Sequence, residues 1–189
     1  MDTLTGGECI SLLQLAREAI RQALQSDDSL TRRLEATEIT AGLERRSAAF
    51  VSLKQPNAKG GRALLRGCIG NMHATLPLYR SVIEMAPKAA FEDPRFPPLG
   101  SDELQDVKIE ISALGPARPI AGLADLVVGR HGVVLASGGA RAVFLPQVAA
   151  ELGWSGEELL RQLSRKAGLG EEAWREAELS VFEAEVFGE

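Results

Sequence analysis

The sequence has only two cysteines, Cys9 and Cys68, in 189 residues. So sparse a pair is not the dense framework that staples a small secreted domain, and both are expected as free thiols. The histidines are equally few, His73 and His131. With no Cys-x-x-Cys or His-Glu-x-x-His spacing, neither a metal nor a cofactor is expected. No run approaches the ~20 consecutive apolar residues of a membrane span, and the first residues lack the basic start and apolar stretch of a secretory signal. A cytoplasmic protein with no membrane association is expected. Aromatic residues are scarce, with one Tyr, two Trp and six Phe, which leaves few stacking platforms for single-stranded RNA.

One sign of charge is missing where the other is plentiful. From residue 45 to residue 83 there is no Asp or Glu, yet Arg45, Arg46, Lys54, Lys59, Arg62, Arg66 and Arg80 all fall there, in a chain of net charge −5. Such a zone either concentrates anions or pairs with acidic neighbours supplied by the rest of the fold, and the pattern leaves both open.

What the chain does have is a core. Apolar residues make up 45% and charged residues 25%, enough to bury one sizeable core or two small ones sharing an interface. No repeat or linker divides residues 1–189, so one domain with two lobes is expected. Thr5-Gly6-Gly7-Glu8 has the form of a capping box, and Leu13, Ala16, Ile20 and Leu24 follow at helical spacing. Residues 26–44 read as an irregular polar connection on which Leu30, Leu34, Ile39 and Leu43 dock. Short apolar runs at 48–53 and 63–69, parted by a turn-rich segment, read as a hairpin. Pro77 opens a helix that Pro87 is expected to kink or divide. Val107, Ile109, Ile111 and Ala113 alternate with polar residues as a strand does. A second hairpin at 133–136 and 142–145, a helix opened by Pro146, a capping box at Ser155-Gly156-Glu157-Glu158 with Leu159, Leu160 and Leu163 facing inward, and a final strand over 179–187 complete the chain. Helices set between hairpins predict an α+β fold with a largely antiparallel sheet and flanking helices.

The chemical interest centres on Leu65-Arg66-Gly67-Cys68-Ile69-Gly70. Glycines permit positive φ or close backbone approach, and a nearby guanidinium lowers the pKa of a thiol, ordinarily about 8.5. The same residues also suit a tight bend with a buried, inert cysteine. This hexapeptide resembles the hallmark motif of the AMMECR family. Further matches follow in order: Phe50-Val51-Ser52-Leu53, Ala89-Ala90-Phe91-Glu92-Asp93-Pro94-Arg95-Phe96, Gly129-Arg130-His131-Gly132-Val133, Phe144-Leu145-Pro146-Gln147-Val148-Ala149 and Lys166-Ala167-Gly168-Leu169. The resemblance implies a two-lobed α+β domain of unestablished activity. For the bacterial and archaeal branch, the so-called AmmeMemoRadiSam system, it implies two partners, a Memo-type protein and a radical S-adenosylmethionine (radical SAM) enzyme. Glu84-Met85-Ala86-Pro87 departs from relatives that often carry an Asn-Ala pair and no proline.

Three functional readings follow. In the first, a cleft around the motif houses a thiol-dependent modification factor: Cys68 is the nucleophile, His131 the base, with His73 an equally placed competitor, and Glu110 its orienting group, while Arg66, Gly67, Gly70 and Arg95 hold an anionic substrate. In the second, the same backbone and basic stretch form a non-catalytic module for an anionic small molecule, RNA or an acidic protein surface. In the third, the domain is a scaffold joining the two implied partners.

Overall fold

The computed structural model describes residues 3–58 and 60–189; Met1, Asp2 and Lys59 lie outside them. The chain divides into two compact units, one formed by the chain up to Leu114 together with Glu185–Glu189, the other by Gly115–Ala184.

The first unit opens with α1 (Gly6–Gln25), whose capping box has both halves: Thr5 Oγ1 accepts the Glu8 amide, and Glu8 accepts the Thr5 amide at 2.7 Å. Its buried stripe is Leu12, Leu15, Ala16, Ala19 and Ile20. Leu13 and Leu24 sit half-buried at its margin, so the face is rotated from the expected one. Residues 26–44 are not irregular: they hold α2 (Ser29–Glu35) and α3 (Ala41–Glu44). Thr40 caps α3 by accepting the Leu43 amide, and Asp27 accepts the Ser29 amide at the start of α2; both helices are too short to show a hydrophobic period. Of the four apolar residues expected to dock there, only Leu43 is buried.

Next come β1 (Ala49–Gln55), β2 (Leu64–Gly70), α4 (Leu78–Phe91) and β3 (Lys108–Leu114). The expected hairpin is present, with a register shift between Leu53 and Lys54. The helix runs unbroken through Pro87. Proline there deprives the Ile83 carbonyl of its donor, but Met85 and Ala86 on one side and Ala89 and Ala90 on the other are buried. Packing on both flanks therefore outweighs a loss that would break an isolated helix.

In the second unit follow β4 (Arg118–Ile120), β5 (Gly132–Ser137), β6 (Ala140–Phe144), α5 (Pro146–Leu152), α6 (Gly156–Lys166) and β7 (Glu178–Phe182). β4 is too short to carry a period. The β5–β6 hairpin turns on Gly138 and Gly139, whose φ values of 55° and 90° explain the glycines. Ser155 accepts the Glu158 amide, but the Glu158 carboxylate turns to Gln162 instead, so only half of the second capping box exists. Leu159, Leu160 and Leu163 face the core as expected.

The run read as one final strand is two. β7 ends at Phe182 and pairs with β4 and β5, whereas β8 (Ala184–Gly188) lies beside β3. The sheets have the orders β2-β1-β3-β8 and β4-β7-β5-β6, and every pairing of defined register is antiparallel. The fold is thus α+β with antiparallel sheets and flanking helices. In the first sheet Val51, Leu53, Ile109, Ile111 and Ala113 join the core that α1 and α4 complete. Alternation puts Ser52, Cys68, Glu110 and Ser112 on the opposite face. No helix among the described residues is long and apolar enough to cross a membrane.

Candidate functional site

Cys68 lies within β2, an edge strand of the first sheet, rather than in a bend. Its glycine neighbours serve close approach and have no positive φ. A Cβ at Gly67 would fall on the Ala89 carbonyl oxygen of α4, far inside van der Waals contact. At Gly70 it would meet the Phe50 ring and, at 2.6 Å, the Ala49 carbonyl oxygen. The motif lets one strand press against a helix backbone on one face and an aromatic ring on the other.

Each polar group of Cys68 is held. Its amide donates to Asp93 Oδ2 at 2.8 Å, its carbonyl accepts from Arg95 Nη2 at 3.3 Å, and Ser52 Oγ donates to its Sγ at 3.2 Å. The first two bonds satisfy backbone groups that an edge strand leaves without a neighbouring strand. Asp93 is 4% exposed and grips Arg95 in a fork, Nε to Oδ1 at 2.9 Å and Nη2 to Oδ2 at 2.7 Å. The hydrogen bonds from Arg95, with those from the Cys68 and Arg95 amides, lower the Asp93 pKa from 3.8 to about 2 despite burial. The Arg95 side chain is itself 54% exposed and packs over the Phe96 ring at 5.5 Å. Its pKa is raised, first by Asp93, so a fixed cation stands beside a half-buried thiol.

The other expected site residues have different neighbours. Arg66, predicted to hold substrate, is buried. It forks onto Glu103 at 2.8 and 3.0 Å and donates to the Pro97 and Pro98 carbonyls, binding the loop after α4 to β2. Glu110 does lie on the Cys68 face, but two strands away. Ser52 pairs with Cys68 on one side and Glu110 on the other, so the three make a cross-strand row, and Lys54 holds the Glu110 carboxylate at 2.5 Å. His131 belongs to the second unit. It is buried, its Nδ1 accepts the Val127 amide at 3.1 Å, and its own amide donates back to the Val127 carbonyl. The two bonds make His131 a staple of that loop. The glycine after it makes room for the Phe182 ring.

Three of the seven basic residues of the stretch have acidic partners from elsewhere in the first unit: Arg45 with Glu185, Lys54 with Glu110 and Arg66 with Glu103. Ser52 and Asp93 are the contributors that sequence reasoning did not place in the site. The Asp-Pro-Arg spacing carries a trace of the second, since a side chain two residues along can fold back on it. The first has no local signal, because only strand register sets Ser52 against Cys68. Neither cysteine is in a disulfide, and burial raises the Cys9 thiol, with Glu185 and Glu8 adding to it. Among the described residues no cluster of three or more His, Cys, Asp or Glu could hold a metal.

Comparison with known proteins agrees with this architecture. A protein of Thermofilum pendens is 39% identical, over 100% of this chain and 93% of its own length. One of Nanoarchaeum equitans is 35% identical, over 95% and 99%. The crystal structure of protein PH0010 from Pyrococcus horikoshii superposes with a TM-score of 0.82 at 33% identity, covering 94% of this chain and 89% of that one. The sequence profile of the AMMECR1 family matches residues 13–187, nearly the whole chain, and the protein belongs to that family.

Proposed function

We propose that Cys68 is the centre of a thiol-dependent site that captures an anionic substrate, with Arg95 as the anion's ligand. The observation that carries this reading is that amide, carbonyl and sulfur of one cysteine are each held by a different side chain, next to an exposed guanidinium. Asp93 fixes Arg95 through Nε and Nη2, and Nη1 is the donor that the anion would take. A hydroxyl donating to sulfur favours the thiolate, the nucleophilic form. Glu110 lies across Ser52 from Cys68 in the same cross-strand row. His131 spends its Nδ1 on its own loop, and Arg66 ties β2 to the loop after α4. The resemblance adds a Memo-type protein and a radical SAM enzyme as the partners with which such a modification factor would act.

A second reading has its own observation: Asp93 and Arg95 occupy the free edge of β2, as a structural edge cap would. The domain would then be a non-catalytic binding module or scaffold. Alkylation of Cys68 against pH, read by peptide mass spectrometry with Cys9 as internal comparison, separates the two. The thiol reading expects Cys68 to react well below a pH of about 8.5, ahead of Cys9, and to slow in Arg95→Gln. A Cys68 that stays unmodified until the chain unfolds would leave the binding module standing.

A further inference from the structure

Within the second unit, a concavity of about 410 Å³ lies at the tip of the β5–β6 hairpin. Its charged walls are Arg141, Glu176 and Glu178; its floor is Ala136, with Ser137 and the Gly138-Gly139 turn at one end. Strand register explains the shape. Ala136 pairs with Arg141 on β6 and with Glu178 on β7, so the three side chains form one cross-strand row on one face. The alanine leaves a saddle between a cation and an anion whose backbones are two strand spacings, about 10 Å, apart. The turn glycines, with nothing within 4 Å of where a Cβ would be, add no side chain to fill it.

The walls are charged yet uncommitted. Among the described residues none of Arg141, Glu176 and Glu178 has an ion pair or side-chain hydrogen bond, whereas Arg161, Glu172 and Arg175 of the same unit bind one another. Opposite charges on either side of an open saddle match a ligand carrying both signs.

We propose that this concavity binds a short zwitterionic peptide, its ammonium group against Glu178 and Glu176, its carboxylate against Arg141, and its backbone over Ala136 within reach of the Ser137 hydroxyl. An extended chain of three residues spans about 10 Å, the separation of the two walls, and the volume lies at the small end of ligand pockets. The assignment is independent of the chemistry at Cys68.

Triglycine is the probe. Titrated into the ¹⁵N-labelled full chain, it is expected to shift the amides of Ala136, Ser137, Gly138 and Gly139 with a millimolar dissociation constant. N-acetyl-triglycine amide, which has neither charge, leaves them in place. Arg141→Gln and Glu178→Gln, surface changes that preserve the fold, each weaken triglycine by about fivefold. Shifts scattered over the chain, equal binding of the capped peptide, or unchanged affinity in both variants would overturn the proposal.

Discussion

In the first unit the polar contacts around β2 join distant parts of the chain and are drawn out of water, Arg66 gripping Glu103 and Asp93 reaching the Cys68 amide. In the second unit Glu157, Arg161, Glu172 and Arg175 form a network on one exposed surface. Glycines divide the same way: Gly67 and Gly70 are required because no Cβ fits, Gly138 and Gly139 because their φ is positive. The contrast teaches where substitution is costly. A charge screened by solvent contributes little, whereas one whose partner is left buried contributes much.

Gly67→Ala tests the comparison most severely. It drives a methyl into the backbone of α4, and a loss of about 3 kcal/mol is expected in urea unfolding. A loss under about 1 kcal/mol would mean that α4 shifts easily and that the motif is not set by packing. Arg66→Met follows, with about 2 kcal/mol expected, the low end for a buried pair because the Glu103 side chain is 37% exposed. An unchanged urea midpoint would put this pair on a par with the surface network.

Asp93→Asn is expected to cost about 2 kcal/mol near neutral pH. The folded carboxylate has its pKa lowered from 3.8 to about 2, so its stabilisation is complete above the ordinary value and is lost as pH falls through about 2. The variant's unfolding midpoint should lack that acid limb, and a parallel fall in both proteins would remove Asp93 as its source. The smallest effect is expected at Arg161→Gln, where no change of midpoint at any salt concentration should be measurable. A clear loss there would show that the surface network is structural after all.

Much of this was legible in the chain. The cap at Thr5, the alternation through β3, the Gly138-Gly139 hairpin and the inward leucines of α6 are local, each written in the residues that adopt it. The candidate site was legible only in part. Cys68 and Arg95 stand out by type and surroundings, but Arg66 looked the same as Arg95 until its partner was known. One arginine is buried on Glu103, the other exposed above Asp93, and nothing within either local segment distinguishes them.

By itself the sequence determined the α+β class, most helices and strands, and the family, because period, capping and turn chemistry act over a few residues. Only tertiary structure decided that residues 179–187 serve two sheets, that α4 survives Pro87, and that Ser52 stands between Cys68 and Glu110. Strand register, burial and the choice of ion partner depend on segments dozens of residues apart, and their energies exist only once the chain has brought those segments together.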